Sequence, residues 1–262
     1  MTLATAALAA SVSTAALAAP QAGPEAGSWA VSVDVGADYS VGGDLHGGAE
    51  APIADLGVLN PALAGVSSTL LIEGRSFSDV YDGAALSIGG EFAYGLSNNQ
   101  EGFLAVRYVD FDDGSTQVGV ADVPALDAQL PVFGEFEGYS AFSVEGGLRQ
   151  YFMSGLARPY VAGRAGVAFV DSISATFTIP DAGITIADAA LYNRTTTFTV
   201  GADLGVLIAA TNFASVAIEG GVRWTGVLDD DDTAIGGLGL AGINEEGGRI
   251  SAPVLVRGRL SF

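Results

Sequence analysis

The sequence contains no cysteine and no lysine, and only 15% of its residues are charged. Without cysteine, disulfides and thiolate metal sites are excluded. After the first residues, no stretch is long and apolar enough to form a membrane-spanning helix. Yet 49% of the residues are hydrophobic and 37 are glycine, while a soluble protein usually has about a quarter charged residues. This composition is typical of either an unusually apolar β protein or a membrane β-barrel.

Positive charge is also scarce. Ten arginines are the basic residues, and 30 carboxylates oppose them, which gives a formal charge of −20. Proteins that bind nucleic acid need a basic surface, so this balance argues against a nucleic-acid partner.

The N-terminal residues 1–18 are predicted to be a signal peptide. Their apolar core ends in Ala16-Leu17-Ala18, a small-x-small cleavage pattern, although the basic start is missing and the natural start is expected upstream. The alternative is an apolar helix kept in the mature protein. Residues 19–27 then form a short linker, and residues 28–262 are predicted to form the folded domain.

Apolar and polar residues alternate in eight separate runs. In the first run, Trp29 and Val33 share one face, and Ser32 and Asp34 share the other. Each run is close to the length that a tilted strand needs to cross a bilayer. The runs lie at about 28–41, 86–96, 103–109, 142–152, 161–169, 197–208, 215–224 and 251–262.

The connections between these runs alternate between long and short. The short ones lie at 97–101, 153–157 and 210–212, and the long ones at 42–83, 110–138, 171–192 and 226–249. This plan is typical of outer-membrane barrels. The sequence therefore predicts an all-β fold: an eight-stranded antiparallel up-and-down transmembrane β-barrel with long extracellular loops and short periplasmic turns. A soluble barrel is the alternative, but it would enclose many bulky aromatic side chains in a narrow lumen.

Aromatic residues cluster at both ends of the predicted strands, as at the two interfaces of a membrane. The short-turn ends carry Trp29, Tyr94, Phe152 and Phe262, and the long-loop ends carry Tyr39, Tyr108, Phe169, Phe198 and Trp224.

Two segments resemble a known family. The terminal "VLVRGRLSF" and the hairpin "GGLRQYFMSGLARPYVAGRAGVAF" are similar to the small outer-membrane β-barrels of Gram-negative bacteria, which include opacity-type porins, the barrel of outer membrane protein A and the W-type barrel. The resemblance implies a monomer in the cell outer membrane that contacts outer-membrane lipid and lipopolysaccharide. It also implies that the barrel assembly machinery recognises the last strand, with Gly258 as a departure from the pattern. The assembly-signal residues would be Val254, Val256, Leu260 and Phe262.

One charged residue per predicted strand points inward at a similar height, five or six residues from the short-turn end. The predicted lumen charge ring consists of Asp34, Glu91, Arg107, Glu145, Arg164, Asp203, Glu219 and Arg257. Unpaired charges in so narrow a space are costly, so each acid is expected to pair with an arginine on an adjacent strand. The expected pairs are Arg257 with Asp34 and Glu219, Arg107 with Glu91 and Glu145, and Arg164 with Asp203.

The charge ring predicts a lumen plugged by an Arg/Asp/Glu network, and with it a structural or surface-interaction role. A narrow porin-like channel for ions or small, even hydrophobic, solutes is the alternative. A lipid-modifying enzyme built on His46 and Ser40 is a third hypothesis, which lacks an oriented acid.

No catalytic residue, cofactor or metal site is predicted. The acidic runs at 110–114 and 229–232 lack the ligand spacing of a calcium loop and are interpreted as solvated charge. The "GLGLAG" run at 237–242 matches a dinucleotide fingerprint by letters alone, but it lacks the preceding strand and following helix that such a site needs and is discarded.

The long connections are more apolar than free loops. The segments "VPALDAQLPVF", "ISATFTIPDAGITI" and "IADLGVLNPALAGVSSTLLI" indicate that the strands continue above the membrane or that the loops pack over the barrel mouth.

Overall fold

The computed structural model describes residues 21–245 and 247–262. The predicted signal peptide at 1–18 lies outside these residues. No helix in this described part of the chain is long and apolar enough to cross a membrane.

Eight long strands of the described residues close into an antiparallel barrel. They are β1 (Trp29–Gly42), β6 (Ala84–Ser97), β7 (Gln100–Asp110), β10 (Ser140–Tyr151), β11 (Ala157–Val170), β14 (Thr195–Ala209), β15 (Ala214–Thr225) and β16 (Arg249–Ser261). Each strand pairs with the strands next to it in the barrel, and β16 returns to β1. The predicted eight-stranded up-and-down barrel is confirmed.

The two faces of the barrel have opposite chemistry. Val33 and Leu204 point outward and are 71% and 68% exposed, whereas the neighbouring Asp34 and Asp203 point inward and are buried. The predicted aromatic residues at both strand ends also lie on the exterior. An apolar exterior around a polar interior is the surface of a membrane-spanning barrel.

The long connections form a second sheet rather than free loops. It contains β3 (Ala49–Ile53), β4 (Ser68–Ile72), β8 (Gly114–Val123), β9 (Ala128–Phe136), β12 (Ile173–Ile179) and β13 (Ile184–Tyr192), in the order β13-β12-β9-β8-β4-β3. A small pair, β2 (Asp44–His46) and β5 (Arg75–Ser76), lies beside it. We call the four connections, 43–83, 111–139, 171–194 and 226–248, the loop domain.

The helical segments of the loop domain are short. They are α1 (Phe77–Val80) and the 3-10 turns Leu56–Val58, Pro61–Leu63, Pro124–Leu126, Pro180–Ala182 and Gly236–Leu238.

Two hairpins of the loop domain turn in the same way. A 3-10 turn beginning with proline, at Pro124–Leu126 and at Pro180–Ala182, follows the first strand of each hairpin. The next residue, Asp127 or Gly183, has a positive φ of 49° or 58°. Proline presets the first turn position, and aspartate and glycine tolerate the left-handed one, so the local sequence encodes both turns.

An apolar core joins the loop domain to the barrel mouth. Phe77, Phe136 and Ile173 are fully buried in this core, and the fourth connection adds Ile235 and Ile243. The apolar segments therefore pack over the mouth in a sheet of their own instead of extending the barrel strands.

Residues 21–27, predicted as a linker, pack against the short-turn end of the barrel. Ala22 is buried; its N–H donates to the Gly155 carbonyl at 3.1 Å, and its carbonyl accepts from Arg158 at 3.0 Å. Arg158 also donates to the Asn98 carbonyl at 2.8 Å. This segment ties together two of the short turns.

The close approach of β10 and β11 yields a testable prediction about Gly166. A Cβ at Gly166 would lie 2.0 Å from the Val144 carbonyl oxygen, whereas a Cβ at Gly163 would meet nothing within 4 Å. Overpacking costs about 1–3 kcal/mol, so Gly166→Ala should lower unfolding stability by at least about this amount, and Gly163→Ala should not. Urea unfolding in lipid vesicles would measure both, and equal stability of the two variants would contradict the predicted close packing.

Candidate functional site

The barrel interior holds a set of buried charges that we call the lumen network. Its members come from all eight barrel strands described above: Asp34, Glu91, Glu101, Glu145, Arg149, Arg164, Asp203, Glu219, Arg223, Arg257 and Arg259. They lie inside because inward positions alternate with lipid-facing ones along each strand.

Glu219 on β15 is the centre of the lumen network. Its carboxylate lies 3.1 Å from Arg257, 3.2 Å from Arg164 and 3.8 Å from Arg149. The Tyr160 hydroxyl donates to it at 2.8 Å. One carboxylate thus joins three arginines on three strands and has its oxygens satisfied in a space without bulk water.

Arg149 forms the layer nearer the short turns. It donates from two nitrogens to Glu91, at 2.9 and 2.8 Å, and also bonds Glu101. Arg259 lies 2.8 Å from the other oxygen of Glu101, and the Tyr151 hydroxyl donates to Glu101 at 2.9 Å. The planar guanidinium suits this site because it can bridge two carboxylates while remaining charged.

Arg164 forms the opposite side of the network. It lies 2.5 Å from Asp203 and 3.2 Å from Glu145. Arg223 reaches Asp203 at 2.5 Å, and its Nε lies 3.9 Å from Glu145. Each acid on this side therefore faces two arginines.

The structure places all eight residues of the predicted charge ring in the lumen, but Arg107, Glu91 and Glu145 do not form the pairs expected of them. Arg257 reaches Asp34 and Glu219, and Arg164 reaches Asp203, as expected. Arg107, by contrast, makes no ion pair within the described part of the chain. Its register partners are Gly89 and Ser143, so Glu91 and Glu145 lie two residues nearer the short-turn end and bind other arginines.

The sequence analysis missed Glu101 and Arg249. Glu101 falls in the predicted turn at 97–101, yet it lies on β7, where its side chain is buried on the same face as Ala105. Arg249 was assigned to a loop, yet it lies two residues before the inward Ser251. Strict alternation, continued two residues further at each strand end, identifies both.

Arg249 closes the lumen towards the loop domain. It bonds Asp38, and its guanidinium stacks 4.7 Å from the Phe111 ring centroid and 4.8 Å from that of Tyr139. Between this layer and the lumen network lies a cavity of about 30 Å³, which Arg107 and Arg223 help to line. That volume suits one or a few water molecules.

Opposite charges are equal inside the barrel. The network, together with Arg107 and the Asp38–Arg249 pair, contains seven carboxylates and seven arginines in the described lumen. Glu25 and Arg158, near the short-turn end, also balance each other. The formal charge of −20 therefore resides in the loop domain and at the adjoining rim of the barrel.

The four predicted assembly-signal residues lie at the closing seam. Val254, Val256 and Leu260 on β16 face outward and are exposed. The N–H of Phe262 donates to the Trp29 carbonyl at 2.8 Å, and the N–H of Trp29 donates to the Phe262 carbonyl at 3.1 Å.

His46 and Ser40 do not form a catalytic pair. The Ser40 hydroxyl accepts from Arg249 at 3.0 Å, whereas His46 is buried in the loop domain with Nδ1 3.0 Å from the Gly47 carbonyl oxygen. The arrangement therefore lacks a histidine placed to activate the serine.

Carboxylates of the acidic runs accept hydrogen bonds from backbone N–H groups of the loop domain. Asp231 accepts from the backbone N–H of Thr233 at 2.9 Å, and Asp113 accepts from that of Gly138 at 2.8 Å. Among the described residues, no three histidine or acidic side chains are grouped to hold a metal ion.

The chain is similar to solved outer-membrane structures. Neisserial surface protein A is 13% identical over 90% of this chain and 99% of that chain, with a TM-score of 0.43. Ail of Yersinia pestis, solved with the heparin analogue sucrose octasulfate, is 9% identical over 90% and 99%, with a TM-score of 0.38. The N-terminal β-barrel domain of Pseudomonas aeruginosa OprF is 14% identical over 88% and 97%, with a TM-score of 0.31.

No protein-family model matches the chain, and no curated protein sequence matches it. Its own closed strand order, polar lumen and apolar exterior make it an eight-stranded β-barrel of the outer-membrane type.

The lumen network predicts a large effect at Arg257. Within the described residues, Arg257 is the ion-pair partner of Asp34, at 3.7 Å. Removing one partner of a buried pair costs about 3–5 kcal/mol, so Arg257→Met should destabilise the barrel by about that amount. Adding Asp34→Asn should recover part of the loss, as measured by urea unfolding in lipid vesicles.

Arg194→Met provides the control. Arg194 and Asp171 lie 3.0 Å apart, but their side chains are 79% and 55% exposed. Such pairs contribute about 0–1 kcal/mol. Equal destabilisation by Arg257→Met and Arg194→Met would mean that the network does not stabilise the barrel.

Proposed function

We propose that the protein is a closed, non-conducting outer-membrane barrel with a structural or surface-interaction role, in which the barrel anchors the loop domain outside the cell. The observation that carries this proposal is the charge-balanced, buried lumen network. Glu219, Arg149 and Arg257 are almost completely buried within it. Ions passing through the lumen would have to displace these pairs.

Both ends of the lumen support a closed barrel. Residues 21–27 pack under the short-turn end, and Phe111, Tyr139 and Arg249 stack at the other. The cavity between Arg249 and the network measures about 30 Å³, which is too small for a continuous column of water.

The loop domain is the part suited to surface interaction. It is a folded sheet with its own apolar core, and it carries the excess negative charge of the chain. Such a surface favours a cationic partner, because complementary charge steers association. The sulfated ligand of the Ail structure is anionic, so like-charge repulsion argues against an equivalent ligand here.

A narrow channel is the second candidate function. It is favoured by Arg107, which lines the upper lumen cavity without an ion-pair partner among the described residues. An enzymatic role has less support, because Ser40 and His46 bind other groups.

Planar-bilayer conductance distinguishes a plug from a channel. The wild type should be electrically silent. A variant with Glu91, Glu101, Arg149 and Arg257 all replaced by alanine should conduct, because it removes two acids and two arginines from the lumen without changing net charge. Should this variant fail to fold, as judged by heat-dependent gel mobility, the Glu101→Ala/Arg149→Ala pair would replace it.

The control for this experiment is the exposed pair Asp171→Ala/Arg194→Ala, which should remain silent. Steady conductance of the wild type, unchanged in the four-residue variant, would overturn the plug and favour the channel.

The proposed orientation is tested by tag insertion. A tag in the exposed turn at 124–127 should bind antibody on intact cells. A tag at 98–99, in the short turn between β6 and β7, should bind only after the outer membrane is opened. The reverse pattern would place the loop domain in the periplasm and exclude a role at the cell surface.

A further inference from the structure

The loop domain contains an apolar cavity with a single polar side chain in its wall. The cavity measures about 40 Å³ and lies between the loop-domain sheet and the fourth long connection. Its wall includes Leu70, Val132, Ile184, Ile235 and Leu240, with His46 as the polar exception. It is separated from the lumen network, which belongs to the barrel.

His46, which lines this cavity, carries an unused hydrogen-bond acceptor. Its side chain is only 3% exposed, and Nδ1 lies 3.0 Å from the Gly47 carbonyl oxygen. A carbonyl can only accept, so Nδ1 carries the proton of this hydrogen bond. Burial, assisted by the positive charge of Arg75, lowers the pKa of His46 and keeps the ring neutral. Nε2 is then a bare acceptor, and it is buried without a hydrogen-bond partner.

Water is a poor occupant for such a site. A buried water typically needs two to four polar partners, and the wall supplies one. An apolar body with one hydroxyl group meets both demands, because the body contacts the aliphatic wall and the hydroxyl donates to Nε2. We propose that this cavity binds a small, neutral, apolar molecule bearing a single hydroxyl group, an alcohol or a phenol.

The segment that covers the cavity is rich in glycine. Residues 235–243, "IGGLGLAGI", contain four glycines, and Gly239 and Gly242 each have a φ of +79°. The segment is held at both ends: the Asp232 carbonyl accepts from the Gly236 N–H at 2.8 Å, and the Ile243 carbonyl accepts from the Gly47 N–H at 2.5 Å. Glycine provides backbone freedom between these anchors.

Access to the cavity lies along partly buried apolar side chains. Leu59, Phe177, Ile186 and Leu238 line the cavity and remain partly accessible to solvent. A ligand larger than the cavity can therefore enter by displacing Leu238 on the glycine-rich segment rather than by opening the sheet.

Isoleucine-methyl NMR of the full chain in lipid nanodiscs tests the proposal, with 1-hexanol and phenol as probes. Ile179, Ile184, Ile235 and Ile243 line the cavity, whereas Ile88, Ile208 and Ile218 face the lipid. Binding should shift the methyl resonances of the cavity isoleucines saturably. Partitioning of the probe into the bilayer should shift the resonances of the lipid-facing isoleucines in proportion to probe concentration, which provides an internal control.

Two variants separate the hydroxyl contact from simple filling. His46→Leu should weaken the binding of 1-hexanol about tenfold, which is the effect of one hydrogen bond, and should leave the binding of n-hexane nearly unchanged. Leu238→Trp, at the partly buried entrance, should reduce the binding of both 1-hexanol and n-hexane. Urea unfolding would confirm that each variant remains folded, and Leu238→Phe would replace Leu238→Trp if it does not.

Absence of saturable shifts in the cavity methyls of the wild type would identify a packing void and overturn the proposal. Equal binding of 1-hexanol by the wild type and by folded His46→Leu would overturn the assigned hydroxyl contact. The test is independent of whether the barrel conducts.

Discussion

A strand in a lipid bilayer must find hydrogen-bond partners along both edges, because the hydrocarbon offers none. In this protein β1 and β16 meet this requirement by pairing from Ala30–Ser261 to Gly42–Ile250, and the Trp29–Phe262 hydrogen bonds extend the seam by one residue. Closure with eight strands makes the lumen narrow, so inward side chains from all strands converge. The ion pairs of the interior follow from this geometry, because an unpaired charge away from water is costly.

Pairing in the lumen separates the charges of the chain into two regions. Inside the barrel, acids and arginines balance, and Glu219 links three arginines on three other strands. Outside, the loop domain carries the excess negative charge. In the function proposed above, the neutral interior resists ions, and the charged surface of the loop domain binds a partner. That proposal assigns stability and recognition to different parts of the molecule.

The loop domain has an apolar core of its own, which lies at the barrel mouth. Its hairpins cannot bury their apolar faces alone, and they do so by pairing with one another across the barrel mouth. The cavity beside His46 lies between this sheet and the fourth long connection, and its wall is apolar apart from His46.

The sequence by itself determined the barrel: its strands, their inward and outward faces, the aromatic belts and the presence of charges in the lumen. These features depend on the alternation of apolar and polar residues along a strand, a local pattern that is visible in runs such as Trp29–Gly42. The same alternation, continued to the strand ends, also predicts that Glu101 and Arg249 point inward, although both fall within the predicted connections.

Only the tertiary structure decided which charges meet. Strand stagger and the reach of the arginine side chain brought Arg149 to Glu91 and left Arg107 without an ion pair among the described residues. The pairing of the long connections was equally non-local, because β4 joins β8, and β9 joins β12, across whole barrel strands of intervening sequence. The burial of His46 follows from that assembly, since the segments around it are distant in the chain and meet only when the loop domain folds.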